Sequence, residues 1–201
     1  MKKNALLNKF VLLYSLSATL LLVYVVITGF TTKTNDEINV KRINVVNEDG
    51  TPFFVIANPE RTPSPKLGGV EYERAVKGGG AIIYNQDGDE RGGIAVLDDD
   101  NRAMNVMMLD YKTLDAIGMF TKESPDLKEY TAMLMVNDPD KERKLGHGVQ
   151  RITLGTDNGD AGLIINNASG KPRIVIQVDR DDQIVFHVLD EEGNIVKNFG
   201  L

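Results

Sequence analysis

Residues 172–199 read PRIVIQVDRDDQIVFHVLDEEGNIVKNF. Two runs rich in Ile and Val, 173–178 and 184–190, are separated by acids at 179–182 and followed by acids at 190–192. Short β-branched runs bounded by Asp, Asn and Gly read as strands. The acids between them either coordinate a metal or turn the chain, and the two readings imply different proteins.

A calcium loop of the EF-hand kind needs acidic ligands at positions 1, 3 and 5, glycine at 6 and a bidentate glutamate at 12. With Gly50, Gly88, Gly159, Gly170 and Gly193 set in turn at the glycine position, the first position holds Val45, Ile83, Leu154, Ile165 and Val188. The last position holds Ile56, Ile94, Ile165, Ile176 and Phe199. Both essential ligands are apolar in every frame. What recurs is apolar–x–polar–x–polar–Gly and a return strand, which is hairpin chemistry: Asn and Asp bond their own backbone, and Gly takes the positive φ. The stretch 179–182 also reads as a loop joining two strands.

Further runs of the same kind lie at 43–47, 52–58, 81–85, 93–98, 104–109, 131–137, 150–155 and 162–167. They predict an all-β domain of about eleven strands in antiparallel hairpins or a meander. A sandwich or open barrel is the leading expectation, with a solenoid-like stack of hairpins as the alternative. Only SPDLKEY at 124–130 shows a helix start, with Ser124 as N-cap and Pro125 in the first turn.

The N-terminus reads differently. Residues 10–30, FVLLYSLSATLLLVYVVITGF, carry no charge. At 1.5 Å rise per residue such a run crosses a hydrocarbon core of roughly 30 Å. It is longer than the apolar region of a cleaved signal and lacks a small-x-small site. An uncleaved signal-anchor is therefore expected, with a cleaved signal as the alternative. Lys2, Lys3 and Lys9 precede the run, which places residues 1–9 in the cytoplasm and the rest across the membrane. The expected organisation is 1–9 cytoplasmic, 10–30 transmembrane, 31–40 connector and 41–201 β-rich and extracytoplasmic, in the bacterial inner membrane.

The formal net charge is −6, and the three leading lysines leave the remainder more acidic still. No basic stripe offers itself to phosphate, so nucleic acid is not an expected partner. There is no cysteine, hence no disulfide, thiolate cluster or cysteine nucleophile.

Three stretches carry a family resemblance: KRINVVNEDGTPFFVIAN (41–58), GGAIIYNQDGDERGGIAV (79–96) and residues 147–196, which contain GKPRIVI at 170–176. They resemble an uncharacterised family of bacterial exported or membrane-anchored β-rich proteins with repeated D-G hairpin motifs. The likeness covers about two thirds of the chain in the same order. It departs at Phe53–Phe54, where the family pattern carries a basic residue after the proline; Arg173 keeps that residue in the last copy. The resemblance implies architecture and no particular reaction.

Chemistry-bearing residues are few. DGDERGG brings Asp87, Asp89, Glu90 and Arg91 together, as a polar ligand site or as a tight hairpin with solvated charges. His147, between two glycines, is an exposed imidazole fit to act as a ligand or to be inert. Met104, Met107, Met108, Met119, Met133 and Met135 fall close together, as core filler or as an adaptable binding surface. No nucleophile elbow, catalytic pair, metal-ligand spacing or cofactor motif occurs. The expected function is a membrane-tethered, non-enzymatic interaction or scaffold module of the cell envelope, with a protein partner or homo-oligomer. A module binding a glycan or divalent cation through acidic hairpin loops is the alternative.

Overall fold

The computed structural model describes residues 2–29, 36–74 and 77–199. Phe30, the end of the expected span, and residues 31–35 of the expected connector lie outside the described residues. The chain forms two compact units, Met1–Asn39 and Val40–Leu201.

The first unit is helix α1 (Lys2–Gly29). Its segment Leu7–Thr28 has a mean hydropathy of 2.4, long and apolar enough to cross a membrane; a signal sequence has the same properties. The serine and threonine hydroxyls inside it are satisfied within the helix. Ser15 donates to the Leu12 carbonyl at 3.0 Å, Ser17 to Leu13 at 2.6 Å, Thr19 to Ser15 at 2.8 Å and Thr28 to Tyr24 at 2.8 Å. Such back-bonding removes most of the cost of placing a hydroxyl in lipid.

The second unit is β. Its strands are β1 (Arg42–Val46), β2 (Pro52–Ala57), β3 (Lys66–Leu67), β4 (Val70–Glu71), β5 (Gly79–Tyr84), β6 (Glu90–Asp99) and β7 (Arg102–Asp110). They continue with β8 (Asp115–Glu123), β9 (Tyr130–Pro139), β10 (Gly148–Asp157), β11 (Asp160–Asn166), β12 (Pro172–Val178), β13 (Ile184–Leu189) and β14 (Ile195–Asn198). Twelve form one antiparallel sheet in the order β1-β2-β5-β6-β7-β8-β9-β10-β11-β12-β13-β14, and the sheet is not closed. The all-β antiparallel meander expected from the sequence is thus the fold, in its open form. Among the described residues the one departure from a plain meander is the β3–β4 hairpin, inserted between β2 and β5.

The turns explain the register. Asn85, Asn167, Asp179 and Asp190 each accept at Oδ1 from the N–H groups two and four residues on, at 2.8–3.0 Å. The carbonyl of each also receives the N–H three residues on. Gly88, Gly170 and Gly193 stand at that third position with φ of 74°, 84° and 92°. In 179–182 the same place is held by Asp182 at φ 60°, so DRDD is a further copy of the turn with aspartate in glycine's role. These acids spend their lone pairs on their own backbone.

Two expectations are corrected. Residues 124–130 make no helix. Residues 124–129 form the β8–β9 loop and Tyr130 opens β9; in the loop Leu127 N–H bonds the Ser124 carbonyl at 3.0 Å and Ser124 Oγ accepts from Glu129 N–H at 3.0 Å. Glu123 is already paired with Tyr130, and Leu127 turns left-handed at φ 57°, so the chain reverses before a second turn of helix fits. Among the described residues the strand number is fourteen, because β3, β4, β8 and β14 are strands that sequence patterning passed over.

Paired residues share a face of a sheet. Val55 pairs with Ile82, and with Ala57 and Tyr84 these form the buried cluster. The core is therefore small and lies on one face of β2 and β5. Residues 59–74 reach over that face.

Candidate functional site

The 59–74 excursion is held down by a set of polar clasps. Thr62 Oγ1 donates to the Gly78 carbonyl at 2.8 Å, and Arg74 Nε to Pro63 O at 3.0 Å. Lys66 Nζ donates to Asp87 O at 2.8 Å, and Gly69 N–H to Asp89 Oδ1 at 2.9 Å. Arg74 makes a two-pronged pair with Glu90, 2.6 Å at its shorter bond. Most of the polar cluster singled out in the sequence therefore faces inward. Asp89 is buried, with Arg91 Nη2 at 3.8 Å from its Oδ2; Glu90 is half-buried against Arg74; Arg91 also donates to the Glu90 carbonyl. Asp87 is exposed and contributes its backbone oxygen. His147 is exposed in the loop before β10, its N–H bonded to Lys144 O at 3.1 Å, and it does not line the cleft described next.

Between excursion and sheet opens a cleft of about 590 Å³. Its floor comes from one face of β5–β7, with Ile82, Leu97, Met104, Val106 and Met108. Thr62, Pro65, Leu67 and Tyr72 form one wall, and the β7–β8 turn (Tyr111, Thr113, Leu114) with Leu145 and Gly146 forms another. Asp110 and Asp115 are cross-strand partners at the mouth of that turn. Asp110 Oδ1 and Thr113 Oγ1 are buried and have no hydrogen-bond partner. Burial, reinforced by the nearby Asp115 and Glu90 charges, pushes the Asp110 carboxyl up to about 7. Tyr84, beneath the excursion, is raised to about 12 by burial and then by Glu90. Sequence patterning missed Asp110 and Thr113, and the nearest signal was the pair of aspartates flanking a short turn.

The opposite face of the sheet is of another character. Tracing directly paired residues across it gives Ile43, Ile56, Ala81, Ile94, Met107 and Met119, one from each of β1, β2, β5, β6, β7 and β8. The row continues through Leu134, Leu154, Leu163, Ile176 and Phe186 on β9 to β13. Phe199 stacks on Phe186 with ring centres 4.7 Å apart. A parallel row runs through Val45, Phe54, Ile83, Gly92, Leu109 and Ile117, then Val136, Ile152, Ile165, Ile174 and Val188. Neither row contains a polar side chain. At the usual inter-strand spacing the stripe is about 50 Å long. Its β1–β8 part is largely uncovered, with Ile94 47% exposed and Met119 51%, while on β9–β13 most of its residues are half-buried and Leu154 is 51% exposed. The methionines divide between the faces. Met104 and Met108 line the cleft, while Met107 and Met119 lie on the stripe.

No protein-family model matches the chain, and no curated protein matches it.

Proposed function

We propose that the protein is a membrane-tethered, non-enzymatic interaction module of the bacterial cell envelope, working through its apolar stripe. The in-register apolar row across eleven strands carries this reading. A soluble face of an antiparallel sheet carries polar residues, whereas these two rows have none and the polar pair Asn105–Thr121 lies in the row beside them. Its half-exposed side chains sum to on the order of 1,000 Å², above the roughly 800 Å² each partner gives to a standard interface and the few hundred Å² of an ordinary surface patch.

The partner that fits is a second copy. Two such stripes are alike in length and chemistry, and apolar sheet faces stack about 10 Å apart with interdigitating side chains. A two-fold arrangement buries the stripe of both chains at once. Helix α1 would hold the copies in one membrane and raise their effective concentration. Lys2, Lys3 and Lys9 keep the N-terminus cytoplasmic, which puts the β unit outside the inner membrane. The acidic hairpin turns are spent on their own backbone and support the glycan or cation alternative less well.

Energy transfer between donor- and acceptor-labelled full-length protein in liposomes tests this reading. Wild type should exceed random proximity, and the Met107→Lys/Met119→Lys double variant should fall to it with an unchanged far-ultraviolet spectrum. Wild type at the random level would overturn the reading.

A further inference from the structure

The roofed cleft is independent of the stripe, lying on the other face of the sheet. Its volume is within the range of small-molecule pockets, and like them it pairs an apolar floor with a few converging polar groups. Two of those groups are anomalous. Asp110 Oδ1 and Thr113 Oγ1 are buried without a partner, and buried polar atoms in folded proteins are nearly always bonded. They sit three residues apart at the β7–β8 turn, where both border the same cavity.

Acids outnumber bases around them, and the two arginines that act on Asp110, Arg91 and Arg74, are each already engaged with another acid. Glu73, Glu90, Asp110 and Asp115 line the cleft against Arg74 alone, and Arg74 is already committed to Glu90. That leaves the two aspartates of the turn without a basic partner in the lining. Among the described residues no three acids or imidazoles come together as metal ligands, which favours a cation bringing its own hydrogen-bond donors.

We propose that the cleft binds a small amphiphilic cation, an ammonium group on an aromatic or aliphatic body. The ammonium pairs with the Asp110 carboxylate at the β7–β8 turn, while the body lies on Leu97, Met104, Val106 and Met108. Binding gives Asp110 a counter-charge. Thioethers on the floor suit a range of body shapes.

The test uses full-length protein in lipid nanodiscs, with empty nanodiscs as the blank. Phenethylammonium is titrated beside 2-phenylethanol and 3-phenylpropionate, which keep the ring and change the head group. The ammonium should bind about tenfold or more tighter than the alcohol, and the carboxylate should not bind, because a charge-assisted bond in a dry site outweighs a neutral one. Asp110→Asn should weaken the ammonium by about tenfold and leave the alcohol nearly unaffected. Since that variant removes a buried charge, its loss of binding is separable from unfolding, which circular dichroism checks. Equal affinity for ammonium and alcohol would overturn the proposal, as would full affinity in Asp110→Asn or no ammonium binding by wild type.

Discussion

Asp110 holds its carboxyl against apolar side chains, and its pKa is raised to about 7 by burial first and by Asp115 and Glu90 next. Unfolding returns it to an ordinary value of about 4. Between those limits the folded chain keeps a proton that the unfolded chain releases, so this group makes stability fall as pH climbs from about 4 to about 7, then level off. Urea midpoints measured across that window should show the slope, and Asp110→Asn should remove it and raise the midpoint at pH 8. An Asp110→Asn curve parallel to wild type would refute the assignment. Asp190 works the opposite way: hydrogen bonds from Asn194, side chain first and backbone next, lower its pKa, so its contribution is present at neutral pH and lost on acidification. Gly118 is a third residue with a definite role. An added Cβ would meet the Met108 side chain and the Met107 carbonyl. Gly118→Ala should cost about 1–3 kcal/mol in thermal or urea unfolding, as overpacking does. None of this was legible in the sequence. Asp110 looks like any turn-flanking aspartate until residues 59–74 are brought over the sheet and dry its surroundings.

At the scale of elements, the hairpins were the most legible part of the chain. A polar residue, two more positions and a glycine state the turn, and the observed bonds follow that spacing at Asn85, Asn167 and Asp190. Asp179–Asp182 escaped the pattern because aspartate tolerates the left-handed region that glycine normally fills. Asp182→Gly should therefore keep the fold and raise stability, while Gly170→Ala should lower it by about 1–2 kcal/mol; melting temperatures separate the two. The 124–130 segment misled because its capping residues are shared by helices and loops, and the β8–β9 register leaves no room for a helix. Strand β8 went unread because Gly118 breaks its alternation. The β3–β4 hairpin could not be foreseen from two-residue strands. It is an element through its clasps, and Glu90→Gln, which removes the charge facing Arg74, should speed amide hydrogen exchange across 62–74 while leaving β9–β13 unchanged.

For the whole molecule, the sheet places two surfaces back to back. One face is partly roofed and holds a cleft; the other is an apolar stripe along the direction in which strands are added. The apolar residues of the stripe were visible as alternation in nearly every strand. Their alignment was not, because a strand's pattern shows which residues share a face and register alone shows which of them meet. Every β-bulge in the ladder, as at Val45/Val46 and Gln150/Ile152, has to fall where it keeps the rows continuous. A continuous uncovered row is a cost to a solitary chain and a gain to a pair. Met119 lies at the middle of the eleven-residue row, nearest the axis of a face-to-face two-fold pair. The chain has no cysteine, so a single one reports without background. The most direct measurement is cross-linking of full-length Met119→Cys in its native membrane with a short bis-maleimide, beside Glu192→Cys in an exposed turn. A covalent dimer from Met119→Cys and none from Glu192→Cys is the predicted result; no dimer from Met119→Cys, or equal dimer from both, would contradict the account.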